Sequence, residues 1–333
     1  MSKPIRVIAY GLGKIGQAAA RLALERPGLE LVGAVDRDPG LVGRDLGRVL
    51  GGKRNLGMTV SAHAVRLFAA TGADAVVHCT TSSFLDAYEQ LTEIARAGLH
   101  CVTSCEEALF PDYRHKLLAD KLDDLCVQKD VAIVGTGVNP GFVMDTLALT
   151  LTAVCQKVTA IRVLRVVDAA TRREALQRKV GAGLTEAEFQ RLAADRKIGH
   201  VGLAESVAFL ADALGWNLDR IGESIAPVLA GRRVKTRFLT VKSGGVAGQR
   251  QFARGILDGR EILTLELQMF VGADRPRDEI RIEGYPPLQL VMDGGTPGDL
   301  ATPAILINTL ARLIEARPGL HTMRTLGLPR IAL

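Results

Sequence analysis

Arg6-Val7-Ile8-Ala9-Tyr10-Gly11-Leu12-Gly13-Lys14-Ile15-Gly16, near the start of the chain, is the stretch whose reading decides the fold. An apolar run leads into G-x-G-x-x-G, and helix-forming residues follow from Gln17 to Leu24. That order is strand, tight turn, helix. Gly11 permits the turn, Gly13 lets a pyrophosphate approach the backbone, and Gly16 lets helix and strand pack closely. The N–H groups at the helix N-terminus, with the positive end of its dipole, then face the phosphates, and Leu12, Lys14 and Ile15 count with the three glycines as cofactor-binding residues. A second apolar run, Leu29-Glu30-Leu31-Val32-Gly33-Ala34-Val35, ends at Asp36. An acid at the end of the second strand is where an adenosine ribose is held. Arg37 follows directly, able to stack on adenine or hold a 2′-phosphate, so both NAD and NADP are candidate cofactors.

Outward from this stretch, the first ~140 residues alternate apolar strand-like runs with helical stretches, the signature of a parallel sheet. Ala73-Asp74-Ala75-Val76-Val77-His78-Cys79-Thr80 is a candidate fourth strand, opening into Thr81-Ser82-Ser83. Thr80, Thr81 and Ser82 stand where a nicotinamide ribose would lie, although hydroxyl residues at such a turn are also ordinary helix caps. Asp45, Lys53 and Arg54 belong to an intervening loop and are expected at the surface. A further strand ends in Ser104-Cys105-Glu106-Glu107, and another in Thr136-Gly137-Val138-Asn139-Pro140-Gly141-Phe142. The glycines around Asn-Pro imply a shaped loop, and the domain boundary is placed there. The expected organisation is a dinucleotide-binding Rossmann domain over residues 1–140, a doubly wound parallel sheet. An α+β substrate and dimerisation domain follows over residues 141–300, with an open, mixed, mostly antiparallel sheet. Residues 301–333 supply a C-terminal helix returning to the first domain. Within the second part, residues 143–155, 185–196 and 200–214 read as helices, and residues 158–167, 237–241, 251–255, 262–270, 279–282 and 288–292 as strands.

Composition narrows the function. Charged residues are 23% of the chain and hydrophobic ones 47%, as in an ordinary globular protein. The net charge of +6 is spread along the chain without a basic block. It suits an anionic dinucleotide and argues against nucleic acid. No apolar run approaches the ~20 residues that span a bilayer. The first strand begins so early that a signal peptide is not expected. Five cysteines without a C-x-x-C pair point to reduced thiols in a cytoplasm and to no metal site.

Of the residues that carry chemistry, Glu106 and Glu107 stand at a strand end on the nicotinamide side. Two adjacent carboxylates cannot both enter one pocket from a regular backbone, so at most one serves the reaction while the other favours a helix N-terminus. A carboxylate there suits a cationic amine or iminium. His200, between glycines ahead of a helix, is open to two readings, a substrate contact or a capping residue. Arg165, Asp168, Arg172 and Arg173 form a charged cluster, read as a solvated face or a salt-bridged interface and alternatively as a functional patch that could clamp a charged substrate. Gly181-x-Gly183 reads as a loop able to close over substrate.

Taken together, Tyr10-Gly11-Leu12-Gly13-Lys14-Ile15-Gly16, Ser104-Cys105-Glu106-Glu107, Thr136-Gly137-Val138-Asn139-Pro140-Gly141-Phe142, His200-Val201-Gly202-Leu203-x-Glu205-Ser206 and Gly298-Asp299-x-Ala301-Thr302 resemble a known group. It is the 2,4-diaminopentanoate dehydrogenase and native amine dehydrogenase group of the dihydrodipicolinate-reductase-like superfamily. The resemblance implies NAD(P)-dependent oxidative deamination of a primary amine, or reductive amination of a ketone or aldehyde with ammonia. It implies Glu106, or alternatively Glu107, as the residue that holds the nitrogen. Asn139 and Pro140 would lie near the nicotinamide ring, Phe142 would wall the pocket, and His200 would face the substrate. The paired-histidine and lysine signature of dihydrodipicolinate reductase itself is missing. Competing expectations are a 2,4-diaminopentanoate dehydrogenase, an ammonia-independent reductase of the same superfamily, and a non-catalytic nucleotide sensor. A long open sheet also leads us to expect a homodimer.

Overall fold

The computed structural model describes residues 3–172 and 174–331. The chain forms two compact units, Met1–Phe142 with Pro297–Leu333, and Val143–Thr296. The first holds β1 (Ile5–Tyr10), α1 (Lys14–Glu25), β2 (Leu29–Val35), α2 (Leu46–Val49), α3 (Ala64–Thr71), β3 (Ala75–His78), α4 (Phe84–Arg96), β4 (His100–Thr103), α5 (Asp112–Lys129) and β5 (Ala132–Gly135). The second holds α6 (Thr146–Leu151), β6 (Lys157–Asp168), α7 (Glu174–Lys179), α8 (Glu186–Ala194), α9 (Leu203–Leu214), β7 (Arg220–Leu229), β8 (Val234–Lys235), β9 (Thr240–Val241), β10 (Val246–Leu257), β11 (Arg260–Phe270), β12 (Arg277–Tyr285) and β13 (Leu288–Asp293). The chain then re-enters the first unit with α10 (Gly298–Ile314), β14 (Gly319–His321) and α11 (Met323–Leu326).

The sheet of the first unit runs β14-β5-β4-β3-β1-β2, and every pair is parallel. A parallel strand is covered on both faces, so its sequence is apolar throughout rather than alternating. β3 and β5 are buried at every residue. Ile8, Val76, Phe84, Leu91, Ile94, Leu122 and Ile133 form the main core. Strand order reverses between β1 and β3, and ligands of doubly wound sheets lie at the carboxyl ends beside such a reversal.

β3 is the third strand in the chain, not the fourth expected. After β2 the backbone makes only an isolated parallel bridge, Val35 with Ser61, where a further strand would stand. The segment before that bridge is pinned by Asp45, whose carboxylate accepts the N–H groups of Gly47, Leu56 and Gly57. Asp45 is therefore half-buried and structural, contrary to its expected place at the surface, whereas Lys53 and Arg54 are exposed.

The sheet of the second unit runs β13-β12-β6-β11-β10-β7, antiparallel except between β6 and β11. α8 and α9 pack on it. Four expectations change here. The segment 143–155 is helical only over α6 and a following 3₁₀ turn, with Asp145 capping the Thr146 N–H. α9 begins at Leu203, because Gly202 at φ 107° starts the helix and leaves His200 outside. Of residues 237–241 only β9 is extended, since the Thr236 hydroxyl accepts the N–H groups of Phe238 and Leu239 and makes a turn. β7 was not anticipated at all. Near the other expected helix, Thr185 and Glu188 form a capping box at the start of α8.

Candidate functional site

Three glycines of the opening turn do three different jobs. Gly11 has φ +89°, and a Cβ there would lie 2.5 Å from the Cys79 carbonyl oxygen. A Cβ on Gly16 would lie 1.7 Å from the Gly11 oxygen, so α1 is seated directly on the turn. A Cβ on Gly13 would meet nothing within 4 Å. The protein itself has no steric need for glycine at that position. Gly13 is also the N-cap of α1, extended at φ −63° and ψ −174°, with no side-chain cap on the helix N–H groups. An open space in front of uncapped N–H groups fits a pyrophosphate, and a side chain would fill it. Leu12 is buried, and Ile15 is partly so. The Gln17 amide braces the turn by donating to the Leu12 carbonyl.

Asp36 ends β2 and is bound to the same turn, its Oδ2 accepting the Leu12 N–H at 2.5 Å and its Oδ1 the Asp38 N–H at 2.8 Å. The carboxylate is thereby held at the cavity wall with lone pairs to spare for ribose hydroxyls. A cavity of about 420 Å³ brings together Tyr10, Gly11, Gly13, Asp36, Arg37, Cys79, Thr80, Thr81 and Gln90. Burial raises the Tyr10 phenol's pKa, and the nearby Arg37, hydrogen-bonded to it, lowers it in part. Lys14, on the rim of the turn, pairs with Asp299 at the start of α10. Ser82 is used differently from its neighbours. Its carbonyl accepts the Glu107 N–H and the Cys105 thiol, which makes it a structural joint between two strand ends.

The acid pair lies in a 3₁₀ turn, Glu106–Leu109, after β4. Glu107 Oε2 accepts the Phe84 N–H at 2.8 Å and lies 3.5 Å from His115 Nε2. It therefore caps the first turn of α4. Glu106 is half-buried at the same sheet edge. Its negative charge is felt at the Cys79 thiol, which burial foremost pushes up to about 12, and Cys79 lines the same cavity as Asp36 and Thr80.

The loop over residues 136–142 follows β5 at the neighbouring strand end. A Cβ on Gly135 would lie 2.2 Å from the Ala108 oxygen, so the 3₁₀ turn packs against the loop's root. Gly141, at φ +125°, leaves no room for a Cβ, which would lie 2.2 Å from the Gly137 nitrogen. The Asn139–Pro140 peptide is cis. Pro140 is buried, and Asn139 and Phe142 are partly so. The Thr302 hydroxyl of α10 accepts the Val138 N–H at 3.3 Å. The first turns of α10 thus hold both the glycine turn, through Asp299, and this loop.

His200 lies in the second unit. Gln251 grips its backbone, accepting its N–H and donating to its carbonyl, each at 2.8 Å. The Arg165 cluster is neither a solvated face nor an open anion clamp. Arg165 is 4% exposed and gives one guanidinium nitrogen to both oxygens of Asp278, itself 1% exposed, and another to the Thr296 carbonyl. Asp168 accepts the N–H groups of Ala170 and Gly272, and Arg173 lies outside the described residues. The Gly181–Gly183 segment is a packed turn rather than a closing loop: Val180 and Ala182 belong to an apolar cluster with Val241, Ala247 and Val271.

A buried polar group escaped the sequence. His78, fully buried at the end of β3, contacts Thr103 through Nδ1 and Gln90 and Thr80 through Nε2. The available signal was a lone histidine inside an otherwise apolar strand, which requires partners when buried.

Comparison with known proteins agrees with this geometry. Residues 142–333 match the 2,4-diaminopentanoate dehydrogenase C-terminal domain, and residues 5–105 match the dihydrodipicolinate reductase N-terminus. The chain is 31% identical to 2,4-diaminopentanoate dehydrogenase of Acetoanaerobium sticklandii, covering 98% of this chain and 94% of that one. It is 24% identical to an amine dehydrogenase of Streptomyces virginiae over 95% of this chain and 94% of the relative. The solved structure of an amine dehydrogenase from Mycobacterium smegmatis superposes with a TM-score of 0.86 at 26% identity, covering 98% and 97% of the two chains. With a nucleotide turn that fits NAD or NADP and relatives along its whole length, the chain belongs to the 2,4-diaminopentanoate dehydrogenase family and is an NAD(P)-dependent oxidoreductase of the amine dehydrogenase kind.

Proposed function

We propose that the chain interconverts a primary amine and a ketone or aldehyde, with Glu106 as the residue that holds the nitrogen. In the oxidative direction an alkylammonium ion, water and NAD(P)+ give the carbonyl compound, an ammonium ion, NAD(P)H and a proton. The hydride acceptor would be supplied by NAD(P)+ when bound. The remaining work is positional and electrostatic. The turn at Gly11, Gly13 and Gly16 takes the pyrophosphate, Asp36 and Arg37 take the adenosine ribose, and Thr80 and Thr81 the nicotinamide side. The Glu106 carboxylate favours the cationic amine and iminium by charge and takes a proton from the ammonium nitrogen. Asn139, Pro140 and Phe142 border the nicotinamide end.

One observation carries the assignment. Of the two acids at this strand end, Glu107 is occupied by the N–H of Phe84, whereas the charge of Glu106 reaches Cys79 on the cavity wall. The substrate is a small amine. Arg165, one of the cluster that could have clamped the carboxylate of a diamino acid, is committed to Asp278.

A panel of ketones and aldehydes, with and without ammonium, monitored for both NADH and NADPH oxidation, tests the reading. Glu106→Ala is expected to abolish ammonium-dependent turnover while NADH binding survives. Full activity in that variant refutes the assignment, and turnover that ignores ammonium favours the ammonia-independent reductase instead.

A homodimer is part of the proposal. The sheet face opposite α9 carries Phe252 between the guanidinium groups of Arg250 and Arg254, 4.7 and 4.1 Å from its ring centroid, a strip suited to a second copy. A monomeric mass by light scattering overturns this. The cysteines are free, as in a reducing cytoplasm, and burial pushes the Cys105 and Cys126 thiols up to about 12, which keeps both protonated. Among the described residues, no helix is long and apolar enough to cross a membrane.

A further inference from the structure

We infer that His78 is a positioning residue: from the end of β3 it ties Thr80, on the cofactor side, to the turn that carries Glu106. The inference rests on the assignment of Glu106 above and adds a route by which cofactor and amine positions are held in register.

The connection is a continuous run of hydrogen bonds. The Cys105 N–H, one residue before Glu106, donates to Thr103 Oγ1 at 3.1 Å. Thr103 Oγ1 lies 2.8 Å from His78 Nδ1. On the other side of the ring, Nε2 is 2.7 Å from Gln90 Oε1 and 2.9 Å from Thr80 Oγ1. The Thr80 hydroxyl in turn donates to Gln90 Oε1 at 2.7 Å. Thr80 and Gln90 both line the dinucleotide cavity.

Donor and acceptor counting fixes the polarity. Gln90 Oε1 can only accept and already takes the Thr80 hydroxyl hydrogen, so Nε2 carries the ring proton and gives it to Gln90. In the neutral ring Nδ1 is then an acceptor, and the Thr103 hydroxyl, while accepting from Cys105, donates to it. Burial holds the imidazole neutral, with a pKa lowered to about 4. Tyr10 stands edge-on to the ring, with centroids 5.3 Å apart. The ring can neither rotate nor flip without breaking bonds on both sides.

Two substitutions separate the two sides, because a glutamine amide spans to the Nε2 position and an asparagine amide only to Nδ1. With the full-length enzyme, His78→Gln keeps the Gln90 and Thr80 side and drops Thr103. It is expected to raise KM for ammonium and lower kcat by about tenfold each, with the NADH dissociation constant changed less than about threefold. His78→Asn keeps Thr103 and drops the other side. It is expected to weaken NADH about tenfold while kcat at saturating cofactor stays within about threefold. Thr103→Val, which removes one hydroxyl with little change of shape, repeats the ammonium arm should His78→Gln fail to fold. A merely structural role predicts that both parameters fall together with the melting temperature. That result, or wild-type constants in both arms, overturns the inference. Glu106→Ala run alongside separates the two claims. If it is inactive while His78→Gln keeps the wild-type ammonium KM, the positioning role fails alone. If Glu106→Ala is fully active, the functional reading beneath it fails.

Discussion

Alanine at Gly13 and at Gly16 should produce opposite kinds of damage, although the two residues belong to one motif. At Gly13 the added methyl meets nothing within 4 Å, and the backbone, at φ −63° and ψ −174°, is open to any residue. Losing glycine as an N-cap costs up to about 1 kcal/mol. The reduced entropy of the unfolded chain returns about 0.4–1 kcal/mol. Stability should therefore stay within about 1 kcal/mol of wild type. The methyl nevertheless occupies the space assigned to the pyrophosphate, and displacing one charge-assisted hydrogen bond costs about 1.5–3 kcal/mol, or about tenfold to a hundredfold in dissociation constant. At Gly16 the methyl would lie 1.7 Å from a backbone oxygen. Neither helix nor turn can yield to that by a side-chain rotation, and overpacking of this kind costs about 1–3 kcal/mol or more. NADH fluorescence titration and thermal unfolding of both variants supply the readout. A Gly13→Ala protein that binds NADH as tightly as wild type refutes the placement of the pyrophosphate. A Gly16→Ala protein with an unchanged melting temperature refutes the close seating of α1.

Three further outcomes follow from the geometry. Arg165→Met should destabilise the protein by about 3–5 kcal/mol, because it strands Asp278 as a buried charge. Arg165→Met with Asp278→Leu should recover much of that loss in urea unfolding, and a double variant no better than the single one contradicts the pairing. Glu107→Ala should lower stability by about 1 kcal/mol through loss of the cap on Phe84 while leaving kcat within a few fold; a kcat as low as that of Glu106→Ala would exchange the roles of the two acids. His78 sets an acid limit. Its native pKa, about 4, lies below the ordinary imidazole value of about 6.5, so the unfolded chain binds a proton that the native state refuses. The penalty is absent above pH 6.5, sets in as pH falls through that value, and is complete below 4, reaching on the order of 3 kcal/mol. The difference in urea midpoint between pH 7 and pH 4.5 should shrink in His78→Gln, and an unchanged difference would show that His78 is not its source.

How much of this was legible in the sequence depends on the range of the interaction. β3 and β5 are apolar at every position because both faces are covered, and the glycine turn is written in consecutive residues. β7 was not legible. It is an edge strand paired only with β10, and it tolerates Gly222 and Pro227, which break the usual strand pattern. The strand count went wrong for a related reason. The chain after β2 carries enough apolar residues for a strand but closes instead around the Asp45 carboxylate, a staple made with backbone groups that leaves no periodic trace. The sequence leaves Arg165 open between a solvated or salt-bridged face and a functional patch, since its partner, Asp278, stands 113 positions away. A buried ion pair looks like two ordinary charged residues until the fold brings them together.

The acid pair shows what local geometry adds to such a reading. Sequence alone restricts the pair to one functional member without deciding which. A 3₁₀ turn has about three residues per turn, so adjacent side chains leave it about a third of a revolution apart. Once Glu107 is directed to the N–H of Phe84, Glu106 cannot share that direction. The cap also does more than dispose of an acid. It fixes the rotation of the turn about its axis, while the Ser82 carbonyl, by accepting the Glu107 N–H and the Cys105 thiol, fixes its distance from the end of β3. On the proposed assignment, the acid that does no chemistry is the one that aims the acid that does. Moving the carboxylate pair by one position along the chain should abolish activity even though both acids are retained.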